Sequence, residues 1–187
     1  MSNDFPYRKS NRLTGYDYRM DGMYFVTICT QDKESYFGRV ENGKMLLNKY
    51  GEIIKRQWLW LARQYRYVKL NQFAIMPNHL HGIIFINKSK IIGADYKNNV
   101  GTGRDLSLHP TYLLPPKPKS LSDIVGAFKT TSSKLIHQIG LTQFRWQRSF
   151  YDHIIRNEKS LGQIRNYIYY NPIKWETDRN NLENLLM

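Results

Sequence analysis

Two histidines on either side of a leucine are the clearest candidates for chemistry in this chain. His79 and His81 fall in NQFAIMPNHLHGIIFIN, which runs from residue 71 to residue 87. Apolar residues fill both halves of that segment, and Pro77-Asn78 is typical of a turn between two strands. Residues at i and i+2 of a strand point to the same face. The spacing therefore predicts two neighbouring imidazoles, which form half of a divalent-metal site.

A tyrosine-rich segment near the end of the chain offers a nucleophile and a third metal ligand. Tyr167 and Asn171 are four residues apart in QIRNYIYYNP, so on a helix they lie on one face. A tyrosine can attack a phosphodiester when a cation withdraws charge from the phosphate. We expect Asn171 to complete the metal site and Tyr167 to attack. Tyr169 and Tyr170 on the same predicted helix are competing nucleophiles, because the sequence alone does not fix which tyrosine faces the metal ligands.

The same residues also have purely structural interpretations. Two histidines around one residue are, on their own, more often packed side chains than metal ligands, and Tyr167 could equally be a packed ring. Asn171 precedes Pro172 and could simply end the helix. His153, on a predicted strand, could lie in the core or reach the site. The chemical interpretation therefore depends on the combination of these residues and not on any one of them.

The surrounding sequence predicts the elements that would position these side chains. β-Branched and aromatic runs predict strands, and apolar residues at i, i+4 and i+7 predict helices. The expected strands are 23–30, 44–48, 67–76, 79–86 and 150–156, and the expected helices are 49–64, 121–139 and 158–170. Asn42-Gly43 predicts a turn before the second strand, and Asn157 predicts the cap of the last helix. This order predicts an α+β fold, a ferredoxin-like antiparallel sheet with helices packed on one face.

Two segments differ in character from this alternation. Residues 1–20 are polar and basic and predict an arm, while the glycines and prolines of residues 88–119 predict a long loop or insertion. The 187 residues suit a single domain. The sequence has no apolar run of 18 residues and no signal-peptide pattern, so we expect a cytoplasmic protein that does not bind membranes.

The charge of the chain predicts a polyanionic partner. The 28 Lys and Arg residues outnumber the 15 Asp and Glu residues, which gives a formal net charge of +13. A domain this basic typically binds nucleic acid. The single cysteine excludes an intrachain disulfide and a cysteine-based zinc site. The candidate phosphate contacts, each of which alone is more often a solvated charge, are Arg8, Lys9, Arg12, Lys129, Lys134, Arg145 and Arg148.

Taken in order, these motifs resemble the single-tyrosine HUH transposases, and most of all the REP-associated tyrosine transposases. The resemblance rests on the HxH pair after Met-Pro-Asn and on the tyrosine helix that ends in Tyr-Asn-Pro. Three further segments match: GMYFVT at 22–27, IVGAFK at 124–129 and WQRSFYDHIIRN at 146–157. The resemblance covers most of residues 8–175 and is weakest in 88–119. An HxH pair alone is a weak motif, whereas the ordered set is specific.

This resemblance implies a fold, an activity and a site. It implies a ferredoxin-like fold that binds hairpin-forming DNA ends, and cleavage of single-stranded DNA that depends on Mg²⁺ or Mn²⁺. Cleavage would pass through a 5′-phosphotyrosine and leave a free 3′-OH. By position, His79 and His81 match the HUH histidines and Tyr167 matches the nucleophile. Asn171 takes the place of a metal-binding glutamine in insertion-sequence relatives. The protein would then be bacterial and nucleoid-associated.

Two interpretations of function stay open at the level of sequence. The first is a DNA transposase and endonuclease. The second is a domesticated regulator that binds DNA hairpins without significant cleavage, which the same fold and charge support. A third and less favoured class is an RNA-processing or HNH-like nuclease with His79 as general base, which would need no tyrosine. The sequence also leaves open whether a monomer or a homodimer assembles the active site.

Overall fold

The computed structural model describes residues 15–88, 118–178 and 180–181. The predicted contacts Arg8, Lys9 and Arg12, most of the basic arm and almost all of the 88–119 loop lie outside them. The described elements are β1 (Gly22–Cys29), β2 (Gly38–Glu41), β3 (Lys44–Leu47), α1 (Lys49–Gln64), β4 (Val68–Ile75), β5 (His79–Ile86), α2 (Leu121–Gln138), β6 (Tyr151–Ile155) and α3 (Glu158–Tyr170). Single 3₁₀ turns span Gln31–Lys33 and Trp175–Thr177. Among the residues that the structure describes, no helix has the length and apolar character needed to cross a membrane.

Four strands form the main sheet in the order β4-β5-β1-β6, and every neighbouring pair is antiparallel. In the chain, α1 lies between β1 and β4, after the hairpin of β2 and β3, and α2 lies between β5 and β6. This is the βαββαβ arrangement of a ferredoxin-like fold, so the predicted fold class is confirmed. The two central strands are β5, which carries the HxH pair, and β1. A rigid central strand is therefore the support of the candidate metal ligands.

The two faces of the sheet are covered by different helices. Helices α1 and α2 pack on one face, where Trp58 and Phe128 are fully buried, and this matches the expectation of helices on one face. Helix α3 differs, because its apolar residues Leu161 and Ile168 pack with Ile83 on the opposite face. Burial of this stripe removes apolar surface from water, and it brings α3 over the face to which His79 and His81 point.

Local signals in the sequence account for the start of α3 and for the hairpin that β2 and β3 form beside the main sheet. The Oδ1 atom of Asn157 accepts a hydrogen bond of 2.8 Å from the Ser160 amide, which confirms the predicted cap and sets where α3 begins. Asn42 and Gly43 have φ values of 50° and 70°, as the predicted Asn-Gly turn requires. This turn joins β3 to β2, a four-residue strand that the sequence pattern did not reveal.

Candidate metal centre and catalytic site

The two histidines lie side by side on β5, as their spacing predicts. His79 is opposite Cys29 of β1 and His81 is opposite Thr27, while Leu80 is fully buried in the core on the other face. Their ring centroids are 4.5 Å apart, and their Nε2 atoms are 3.0 Å apart. Both side chains are shielded from solvent, with His79 fully buried and His81 2% exposed. Two Nε2 atoms at this distance share either a proton or a cation.

Each imidazole is oriented by a hydrogen bond to its other nitrogen. The Nδ1 atom of His79 is 2.8 Å from Oδ1 of Asn78. The amide nitrogen of Asn78 donates to the carbonyl oxygens of Lys33 and Asn180, so its Oδ1 is the acceptor and His79 carries its proton on Nδ1. The Nδ1 atom of His81 is 2.8 Å from Oγ1 of Thr27. Such outer contacts fix ring orientation in metal sites and leave Nε2 available as a ligand.

Tyr167 is the tyrosine of α3 that reaches the histidines. Its hydroxyl is 3.2 Å from Nε2 of His81, and the two rings are 5.1 Å apart. Its ring also meets Phe25 edge to face, and the side chain stays 44% exposed. Of its competitors, Tyr169 lines a separate hollow with Ile168, and Tyr170 lines the groove described below. The phenol of Tyr167 is thus both beside the histidine pair and open to a substrate.

Asp178 lies beside the histidine pair, and Asn171 contacts Asp178. Asn171 follows α3 and is only 2% exposed; its amide nitrogen donates to Oδ2 of Asp178 at 3.2 Å. Its Oδ1 atom is buried and accepts no hydrogen bond from the part of the chain that the structure describes. Ligand atoms of His79, His81 and Asp178 all lie within 4.8 Å of one another. Sequence reasoning missed Asp178, because it lies in an irregular turn beyond Pro172, where no periodicity relates it to Asn171.

This donor set fits a divalent cation. It offers two imidazole nitrogens that face each other, a carboxylate, and a buried amide oxygen that lacks a donor among the described residues. Neighbouring ligands of an octahedral ion, each about 2.1 Å from it, lie about 3 Å apart. The separation of 3.0 Å between the two Nε2 atoms therefore matches two adjacent ligands of one ion.

An open groove of about 910 Å³ runs beside this cluster, between β6 and α3. Tyr167 and Asp178 line it, so the groove leads directly to the candidate nucleophile. His153 also lines the groove and is exposed, so of its two predicted locations the structure shows the one near the site and not the core. Side chains suited to ring stacking and to hydrogen bonding occur along its walls: Tyr151, Ser160, Gln163, Asn166, Tyr170 and Lys174.

The described basic candidates fall into two groups. The ammonium group of Lys129 donates to the carbonyl oxygens of Gln147 and Ser149, and burial lowers the pKa of Lys129 to about 8. Arg145 donates through Nη1 to the carbonyl oxygens of Thr142 and Phe144. These two cations thus hold the segment before β6 in place, although Arg145 is exposed, as are the other two candidates, Lys134 and Arg148.

Several known proteins are similar to this chain, although no protein-family model matches it. An uncharacterised protein of Haemophilus influenzae is 41% identical over 175 residues, which cover 92% of each chain. A second protein of that organism, named "Putative REP-associated tyrosine transposase", is 24% identical over 158 residues, or 84% of this chain and 74% of the other. The solved structure of a REP-associated tyrosine transposase bound to a REP hairpin shares the fold. Its TM-score is 0.51 at 20% identity, and the match covers 87% of this chain and 74% of that one.

Proposed function

We infer the function of this chain from its relationship to the REP-associated tyrosine transposases, with which it belongs in sequence and in fold. We propose that it binds hairpin-forming single-stranded DNA and cleaves and rejoins it by metal-assisted tyrosine transesterification. One observation carries the proposal most directly: the hydroxyl of Tyr167 is 3.2 Å from a histidine pair that suits a divalent cation. A protein that only binds DNA has no chemical need for this arrangement.

The proposed reaction exchanges one phosphodiester for another. The Oη atom of Tyr167 attacks the phosphorus, a bond forms between them, and the bond from phosphorus to the 3′-oxygen breaks. The protein then carries a 5′-phosphotyrosine, and the proton lost by the phenol is balanced by the proton that the departing 3′-oxygen gains. Rejoining is the reverse reaction with a 3′-OH as the attacking group. The exposure of the Tyr167 side chain supports this role, because a packed phenol could not reach a phosphodiester.

His79, His81 and Asn171 are the residues we propose to hold Mg²⁺ or Mn²⁺. When bound, the cation withdraws charge from the phosphate and so makes the phosphorus more electrophilic. The hydrogen bonds that the two rings make with Asn78 and Thr27 keep both rings turned so that their Nε2 atoms face each other. The buried Oδ1 of Asn171 supports its assignment as the third ligand, since a buried acceptor without a donor is otherwise costly.

The groove between β6 and α3 is the proposed path of the unpaired strand. Exposed rings of Tyr151 and Tyr170 provide surfaces on which bases can stack, and Lys174 provides a cation for phosphate. The charge of +13 supports affinity for DNA in general. Among the described candidates, the exposed Lys134 and Arg148 suit direct phosphate contacts. Lys129 and Arg145 would add to the field of the protein while they hold their backbone partners.

The candidate site is complete within one chain, because Tyr167 meets His81 of the same chain. We therefore propose that a single chain can carry out cleavage, whether the protein is a monomer or a homodimer in solution. A protein that acts on chromosomal repeats would work in the bacterial cytoplasm with the nucleoid. Because the candidate residues belong to one chain, the effect of each substitution can be interpreted within a single subunit.

The test is a denaturing gel of protein mixed with labelled single-stranded DNA from hairpin-forming repeats that flank its gene. With Mn²⁺, the wild type should give a labelled protein band that EDTA abolishes. The band should be absent for Tyr167→Phe and His79→Ala and present for the matched control Tyr169→Phe. An undiminished band in Tyr167→Phe would overturn the nucleophile assignment. Binding of the hairpin without any band would instead favour a regulator that does not cleave.

A further inference from the structure

The 3₁₀ turn after α3 brings a carboxylate to the histidine pair, and this carboxylate has no role in the reaction so far. We propose that Asp178 is an anionic ligand of the metal centre and that Asn78 positions it. The inference rests on the proposed function, because it adds a residue to the same metal centre. It is carried by the geometry of the turn, by the charge of the protein and by one hydrogen-bond circuit.

The geometry places a carboxylate oxygen where a ligand is needed. Ligand atoms of Asp178, His79 and His81 lie within 4.8 Å of one another. Trp175, at the start of the turn, is buried with its ring 5.9 Å from that of His79. The Asp178 amide donates to the Trp175 carbonyl oxygen at 3.0 Å. The turn is therefore packed directly on His79, and this packing helps to set the position of Asp178.

The charge of the site supports an anionic ligand. Two imidazoles and an amide are all neutral, so with them alone a divalent ion would keep its full charge beside side chains that are shielded from water. A buried charge is costly unless it is paired. In addition, a protein with net charge +13 repels cations. The carboxylate of Asp178 would offset part of this charge at the point where the ion binds.

A hydrogen-bond circuit connects the Asp178 turn to the HxH strand through Asn78. The Oδ1 atom of Asn78 accepts from Nδ1 of His79, and its Nδ2 donates to the carbonyl oxygen of Asn180 at 2.6 Å. The backbone N–H of Asn180 in turn donates to Oδ1 of Asp178 at 2.7 Å. One side chain thus fixes both the tautomer of His79 and the turn that carries the carboxylate. Asn171 extends this set of hydrogen bonds, because its Nδ2 donates to Oδ2 of Asp178, while its Oδ1 accepts no hydrogen bond from the described residues.

The test measures Mn²⁺ binding to purified protein without DNA, by electron paramagnetic resonance of the free ion. Asp178→Asn removes the charge but keeps an oxygen that can accept from the Asn180 amide. The new amide cannot also accept from Nδ2 of Asn171, so the Tm without metal measures this structural loss, whereas loss of a charged ligand should in addition raise the Kd at least about tenfold. Asp178→Glu, which keeps the charge on a longer side chain, should bind more tightly than Asp178→Asn. The matched control Glu176→Gln, which removes an exposed charge from the same turn, should bind like the wild type.

The outcomes separate this inference from the function on which it rests. If the wild type binds no Mn²⁺, or if His79→Ala binds it as well as the wild type, the metal centre itself is wrong. If His79→Ala loses binding but Asp178→Asn keeps the wild-type Kd, the centre stands and Asp178 is not a ligand. A thermal melt without metal identifies any variant that has not folded. In that case Asp178→Ser, which keeps a small hydrogen-bond acceptor without the charge, replaces that variant: a Kd at least about tenfold above that of the wild type supports the ligand, and a wild-type Kd overturns it.

Discussion

The hydroxyl of Tyr167 lies 3.2 Å from Nε2 of His81, and both residues belong to one chain. The two are 86 residues apart in sequence and meet because α3 packs its apolar stripe on the sheet face that bears His81. The cap at Asn157 sets the start of α3 and hence the direction in which Tyr167 points. The candidate site therefore depends on the helix cap at Asn157 and on the alternation of side chains along β5.

A site assembled within one chain predicts that inactive variants cannot rescue each other. Mixed Tyr167→Phe and His79→Ala proteins should give no covalent DNA adduct in the presence of Mn²⁺. A denaturing gel of the mixture measures this, with each variant mixed with wild type as the control for inhibition. Restored adduct would show instead that Tyr167 works with the histidines of a partner chain, as in a dimer with exchanged helices.

Thr27 should contribute to metal affinity although it is not a ligand. Its hydroxyl lies 2.8 Å from Nδ1 of His81, and it orients the ring from the neighbouring strand. Thr27→Val keeps the shape of the side chain and removes the hydroxyl, so Mn²⁺ affinity should fall about tenfold or more. Titration calorimetry with Mn²⁺ measures the change. Thr27→Ser keeps the hydroxyl and should bind nearly as tightly as the wild type; an equal loss in both variants would point to packing and not to the hydrogen bond.

The sequence predicted much of this site because regular elements carry it. Strand alternation places His79 and His81 together, and helix spacing places Tyr167 near Asn171; these rules need no tertiary information. The sequence did not predict the role of Asp178, because the position of Asp178 depends on the packing of Trp175 against His79 and on the hydrogen bonds of Asn78. Contacts between segments 100 residues apart leave no local pattern.

Two features of the fold also differed from the expectation: the face of the sheet that α3 covers, and the presence of strand β2. The apolar stripe of α3 predicted a buried helix, but a stripe does not specify which face of the sheet it covers. Strand β2 was missed because its four residues, Gly-Arg-Val-Glu, include three with low strand propensity or with charge. The Asn157 cap and the Asn42-Gly43 turn were predictable because each depends on neighbouring residues only.

Gly82 should be required for the stability of the central strand. A Cβ atom at this position would lie 2.3 Å from Cζ2 of Trp58, a fully buried ring of α1. Gly82→Ala should therefore lower the free energy of unfolding by about 1–3 kcal/mol, the usual cost of overpacking a core. Urea denaturation measures it. Gly162→Ala, where a Cβ meets nothing within 4 Å, is the matched control and should not destabilise the protein. Equal effects would mean that the Trp58 contact relaxes at little cost.

The pKa of Lys129 predicts a pH dependence of stability. Burial lowers this pKa to about 8, while the unfolded chain keeps a value near 10.5, so between these values the unfolded state binds more protons. The free energy of unfolding of the wild type should therefore rise from pH 8 to pH 10 relative to that of Lys129→Met. Denaturant melts across this range measure the difference. A constant difference would show that the two carbonyl acceptors balance the cost of burial.

Lys174 should contact phosphate if the groove holds the DNA strand. It is exposed in the groove that leads to Tyr167. Loss of one phosphate contact should weaken binding of single-stranded DNA and reduce the slope of log K against log salt concentration by about 0.7. Fluorescence anisotropy of Lys174→Ala at several salt concentrations measures both. Lys69→Ala removes an exposed charge from β4, opposite Phe85 and far along β5 from His79, and should leave the slope nearly unchanged. If both variants lower the slope equally, the DNA responds to total charge and the groove is not its path.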